Sequence, residues 1–238
     1  MKKIAKAAPP DDLSQWRADN AEVPQNLVYG QAQFPQTSVL TALLQEQGFV
    51  CGYTLKLLSV TTAHVEHIKP QTLCRQEDRE RECNGRACLR EDIAWCNLIA
   101  CFPAPNAATP PDYGAVKKKD WWQPDFVSPL HDDCEQRFVF DSNGGVAAQA
   151  NDAAAFATIK ALALDNKKLS ELRETAFKRA GVHRRADKPI TSTAKVEQLI
   201  AGWRNRHRES GAFAEFCIPL VQIAKEYAQL LRRVETKA

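Results

Sequence analysis

Four consecutive residues, His64-Val65-Glu66-His67, place two imidazoles and a carboxylate in one short stretch. A carboxylate can hold a divalent cation while an imidazole deprotonates a water, which is the chemistry of phosphodiester hydrolysis. On a strand, side chains alternate, so His64 and Glu66 share one face and Val65 and His67 the other. A twist or bulge at Pro70 is then needed to bring Glu66 and His67 around one site. Two His and a Glu also suit zinc, but the order is H-x-E-H and lacks the helical HExxH spacing. Alone, the tetrapeptide fits a polar surface strand equally well.

The elements that must position these residues follow from hydrophobic periodicity. Residues 1–36 are rich in Pro, Asp, Asn and Gln and read as an arm with one short helix near Leu13-Ser14-Gln15-Trp16. From Ser38, Leu40, Leu43 and Leu44 follow helical spacing, with Gly48 placed as a stop. The period then changes. Phe49 to Thr54 is strand-like and Ala63 to Lys69 alternates up to Pro70, so the two predict a hairpin with a long connection. Residues 71–92 form a charged insertion, a surface loop or short helix, and Trp95 to Cys101 opens a helix or loop. Arg137 to Phe140 and the Asn143-Gly144 turn predict a second hairpin. Beyond about residue 152, three apolar stripes (Leu169 to Phe177, Val196 to Trp203, Leu220 to Leu231) predict helices that pack together.

The chain has 238 residues, 44% hydrophobic and 26% charged, within the range of folded globular proteins, which excludes a disordered or collagen-like chain. No apolar run approaches the roughly 18 to 20 residues of a bilayer span, and no secretory h-region follows Met1-Lys2-Lys3. The expectation is a cytoplasmic protein with no membrane partner, whose eight cysteines are thiols or metal ligands rather than disulfides. The net charge of +3 is uneven: residues 1–152 carry 15 Lys and Arg against 20 Asp and Glu, while residues 153–238 carry 17 against 9. A basic C-terminal part attracts a polyanion, or is simply a solvated helical face. Lys117, Lys118 and Lys119 beside Trp121 and Trp122 combine cations with aromatic surfaces suited to nucleic acid, or form a solvated run beside packed tryptophans.

Taken in order, these segments resemble the HNH nuclease ββα-metal motif, and more narrowly the HNH proteins of Septu-type and retron-associated anti-phage systems, which act beside an ABC-like ATPase. The matching segments are the arm Ile4 to Leu13, Gln47-Gly48-Phe49-Val50-Cys51-Gly52-Tyr53, the box His64 to Gln71, Asn97-Leu98, Val127-Ser128-Pro129-Leu130, and Phe138 to Gly144. The resemblance covers about residues 4–180. It implies that His67 is the general base, that Glu66 is a ligand of a divalent cation (Mg or Mn), and that Asn97 orients the motif. His64 is implied as a second metal-site or phosphate contact, or as a structural histidine. Three departures stand out. Thr54 occupies a position that is usually Cys, so a four-thiolate structural Zn site is incomplete unless Cys74, Cys83, Cys88, Cys96 and Cys101 rearrange into one. Ala115 stands where a third histidine is expected, leaving Asn106, Asp112 or His131 as replacement ligands. The insertion at 71–92 is longer than the motif requires.

The sequence therefore predicts an α+β protein: an N-terminal arm (1–36), an HNH ββα-metal core (37–150) and a basic helical domain (151–238). The predicted function is a metal-dependent endonuclease acting on DNA or RNA, an effector of anti-phage defence controlled by an ATPase partner. The alternative is a degenerate HNH module that no longer cuts and serves as a binding or adaptor subunit. Convergence of Glu66 and His67 on one cation-sized gap favours the nuclease; their divergence to opposite faces favours the adaptor.

Overall fold

The computed structural model describes residues 1–236. Helix α1 (Asp11–Asp19) follows two prolines, carries Asp11 and Asp12 in its first turn, where the helix dipole favours them, and buries Leu13 and Trp16. Helix α2 (Gln36–Glu46) buries Val39, Leu40, Leu43 and Leu44 on one face. Gly48 ends it at φ +61°, and a side chain there would run into the Phe213 ring, 2.5 Å away. The N-terminal segment is part of the core. Met1 and Ile4 are buried, and the Lys6 ammonium reaches Glu46 at 2.8 Å and the Leu98 carbonyl at 2.7 Å.

Strand β1 (His64–His67) pairs antiparallel with β2 (Leu98–Cys101), in the register His67 to Leu98 and His64 to Cys101. This corrects two sequence expectations. Residues 49–54 are not the partner of β1, and the segment ending at Cys101 is a strand rather than the opening of a helix or loop. Phe49 and Leu55 adopt left-handed backbone conformations, φ +58° and +63°, which break the extended run. Residues 50–57 therefore fold into a tight turn closed by a Val50–Leu57 bridge, and the turn borders β2 through Gly52 N–H to the Ala100 carbonyl, 3.1 Å. Leu98-Ile99-Ala100-Cys101 is apolar throughout and buried on both faces.

The charged insertion is largely helix α3 (Gln71–Cys83). Its Asp78 carboxylate accepts from Leu89 N at 2.6 Å and Arg90 N at 3.1 Å, so the return loop is fastened to the helix. Single turns at Glu91–Ile93 and Trp95–Asn97 lead into β2. A one-turn helix α4 (Ala115–Lys118) follows Gly114 at φ +70°.

Strands β3 (Phe138–Phe140) and β4 (Val146–Ala148) form the hairpin expected around Asn143-Gly144. Helices α5 (Ala153–Leu162), α6 (Lys167–Arg179) and α7 (Thr193–Arg204) are capped by Asp152, Asn166 and Ser192, whose side chains accept backbone N–H groups. Helix α8 (Cys217–Glu235) packs along α7. One apolar cluster runs from Met1 through both sheets to α5, the start of α6 and Phe216. A second joins Phe177 and Val182 to Val196, Leu220, Ile223, Ala224 and Ala228. The fold is α+β, with eight helices and two antiparallel two-stranded sheets among the described residues. No described helix is long and apolar enough to cross a membrane.

Candidate functional site

Strand β1, the turns before β2, and α4 bring His64, Glu66, His67, Asn97 and Lys118 into one region. Alternation on β1 leaves His64 and Glu66 on a half-buried face and puts Val65 and His67 on the buried one. Glu66 and His67 thus diverge, the arrangement that favours a non-cutting module.

His67 is 8% exposed. Its Nε2 lies 2.8 Å from the Asp92 carbonyl, which only accepts, so Nε2 carries the proton and Nδ1 is the basic nitrogen. The Tyr29 ring stands edge-on at 4.6 Å and the Gln71 carboxamide lies 3.3 Å from Nε2. Burial pushes the His67 pKa below its ordinary value, outweighing the Asp92 carbonyl and the Glu66 charge, which act in the opposite direction. A neutral imidazole with a fixed tautomer is the form a general base requires. The carbonyl that fixes it is itself held: the buried Asp92 carboxylate accepts from Tyr29 N at 3.4 Å and faces Arg75 Nε at 3.6 Å.

Asn97 closes the strand end. Its Oδ1 accepts from Lys69 N at 2.7 Å, and its Nδ2 donates to the carbonyls of Lys69 (3.0 Å) and Glu91 (2.9 Å). One side chain thereby joins the segment after His67 to the turn before β2.

Glu66 sits between two nitrogen groups. Lys118 Nζ lies 3.1 Å from Oε1 and donates to the His67 carbonyl at 2.9 Å. His64 Nε2 faces Oε2 at 3.6 Å, while His64 Nδ1 bonds to the Pro103 carbonyl. Burial lowers the His64 pKa, but the Glu66 carboxylate and the Pro103 carbonyl raise it by more, so the net shift is upward. These neighbours do not form a cation shell. Among the described residues no three His, Cys, Asp or Glu side chains are grouped to hold a metal. Asp112 pairs instead with Lys117 at 3.2 Å, and Asn106 and His131 are exposed. The cysteines do not gather into one group: Cys83 and Cys96 are exposed, Cys74 lies near Asn97, and Cys51 and Cys101 are buried side by side. Cys51, on the turn beside β2, accepts from Phe102 N at 3.4 Å.

Of the lysine triplet, Lys117 and Lys119 face solvent and Lys118 is withdrawn from it, 1% exposed, so Lys118 cannot touch a nucleic-acid backbone in this conformation. Its pairing with Glu66 escaped the sequence reading, although Lys118 lies three residues past Ala115 and therefore one helical turn away on the same face. The Asp92 carbonyl carries no side-chain signature and could not have been found that way.

No family model matches the chain, and no curated protein is significantly similar to it.

Proposed function

We propose that the chain is a phosphodiester hydrolase of the HNH type that cuts nucleic acid, with His67 as its base and Asn97 as the residue that positions the strand end. The observation that carries this reading is the His67 imidazole: neutral, held in one tautomer by the Asp92 carbonyl, and set at the end of a strand clasped by Asn97. In this reading Nδ1 takes a proton from water as its oxygen attacks phosphorus. The bond to the leaving oxygen breaks, and that oxygen takes a proton from solvent. The groups around Glu66, an ammonium and an imidazole, do not form a shell for a divalent cation. The partnership with an ABC-like ATPase and the anti-phage role extend the proposal through the resemblance alone.

The adaptor reading keeps its place on one observation: Glu66 and His67 leave β1 on opposite faces, and a lysine occupies the carboxylate. A cleavage assay separates the two. Plasmid DNA and total RNA are incubated with the protein, with and without co-purified partner, in magnesium, manganese or EDTA. His67→Gln is the control variant, because its amide N–H can replace Nε2 on the Asp92 carbonyl while removing the basic nitrogen. The expected result is cutting by the wild type and none by the folded variant. Failure to cut either polymer in any condition supports the adaptor.

A further inference from the structure

We propose that Lys118 is the resident cation of this site: its ammonium takes the place beside Glu66 where a divalent metal would bind, and it excludes that metal. This deepens the hydrolase reading by treating the β1–α4 cluster as the site, but it concerns binding and not cutting.

Lys118 is among the most deeply buried side chains of the protein, and a buried ammonium is tolerated only when paired and hydrogen-bonded. Both conditions are met at once. Nζ lies 3.1 Å from Glu66 Oε1 and 2.9 Å from the His67 carbonyl, so one group ties α4 to the carboxylate and to the main chain of the base. A bound metal could join strand to helix in the same way, with its positive charge between them.

The surroundings leave no room for both. A magnesium ion bound by Glu66 would sit about 2.1 Å from its oxygen and need near-octahedral donors. At Oε1 it would compete with the ammonium and be repelled by it. The other oxygen faces His64 Nε2 at 3.6 Å, and the His64 ring is held in place by its Nδ1 contact with the Pro103 carbonyl. Ala115, one turn before Lys118 on the same face, brings only a methyl group. Lys118 is in this sense a positioning residue, acting through Glu66 and the His67 backbone.

The test is Mn²⁺ binding to the full chain, followed by calorimetry and by the loss of the free-ion electron paramagnetic resonance signal. No substrate is present, so a chain that cuts nothing is tested equally well. Wild type is compared with Glu66→Gln, Lys118→Gln and the double variant. Glutamine at 118 removes the charge, keeps a hydrogen-bonding group and offers an oxygen donor. The expected result is that wild type and Glu66→Gln bind Mn²⁺ equally weakly. Lys118→Gln is expected to gain at least about tenfold in affinity, a gain lost again in the double variant. The proposal is overturned if wild type takes up one Mn²⁺ per chain in a manner that Glu66→Gln abolishes. It is also overturned if folded Lys118→Gln gains nothing. Should Lys118→Gln fail to fold, the comparison of wild type with Glu66→Gln decides alone.

Discussion

At the scale of single residues, the two histidines of β1 respond to pH in opposite directions. Burial depresses the His67 pKa below 6.5, so the neutral form is favoured in the folded chain. Its contribution to stability is present above the unfolded value and is lost as pH falls through the folded one. His64 has a raised pKa because Glu66 and the Pro103 carbonyl outweigh burial; its contribution is present below 6.5 and is lost as pH rises through the folded value. His183, also depressed by burial, adds to the His67 trend. The melting temperature of the wild type is therefore expected to fall more than that of His67→Gln between about pH 7.5 and about pH 5.5. Parallel curves would show that His67 is not the group responsible. Truncation of the buried His67 to alanine would leave the Asp92 carbonyl without its donor, at a cost of about 1–3 kcal/mol. Glutamine avoids that cost.

At the scale of elements, the fold depends on a few close approaches that the sequence marks only as glycines. Gly144 turns the β3–β4 hairpin at φ +79°, and a Cβ there would stand 2.0 Å from the Ser170 carbonyl of α6. Gly85, after α3, has a comparable φ of +67° and open space around it. Both positions share the left-handed backbone, so only the steric contact distinguishes them. Gly144→Ala is expected to destabilise the protein by at least about 2 kcal/mol more than Gly85→Ala, because backbone rather than a pliable side chain must give way. Urea denaturation of the two variants checks this, and equal midpoints would refute it. The Asn-Gly turn was legible because few residues other than Gly and Asn tolerate that backbone. The partner of β1 was not, because Phe49 to Thr54 and Leu98 to Cys101 are both short and apolar, and only the chain reversal at Phe49 and Leu55 decides between them.

At the scale of the whole molecule, α6 links the two apolar clusters: Leu169 belongs to the first and Phe177 to the second. Between them, Arg173 is 2% exposed. Its guanidinium donates to the carbonyls of Gly144 (3.0 Å) and Leu164 (2.9 Å) and lies over the Phe140 ring. Burial lowers its pKa to about 10, which leaves it charged at neutral pH. Arg173→Met would leave two carbonyls unpaired and is expected to cost about 3 kcal/mol, measured by urea unfolding. Because one helix serves both clusters, tryptophan fluorescence and far-ultraviolet circular dichroism are expected to give coincident transitions in the wild type. Separated transitions would mean that the clusters unfold independently.

The sequence by itself determined what local periodicity and local backbone chemistry determine: the α2 stripe, the α6 to α8 stripes, the β3–β4 turn, the alternation of His64, Glu66 and His67, and the α+β class. The tertiary structure decided which distant groups meet. That β1 pairs with β2, that the Asp92 carbonyl fixes the His67 tautomer, and that Lys118 rather than another carboxylate or imidazole stands against Glu66 are contacts between residues 25 to 52 positions apart. Side-chain spacing along a helix or strand is set by backbone geometry within a few residues, whereas a contact across that separation depends on how the intervening chain packs, which no local pattern encodes.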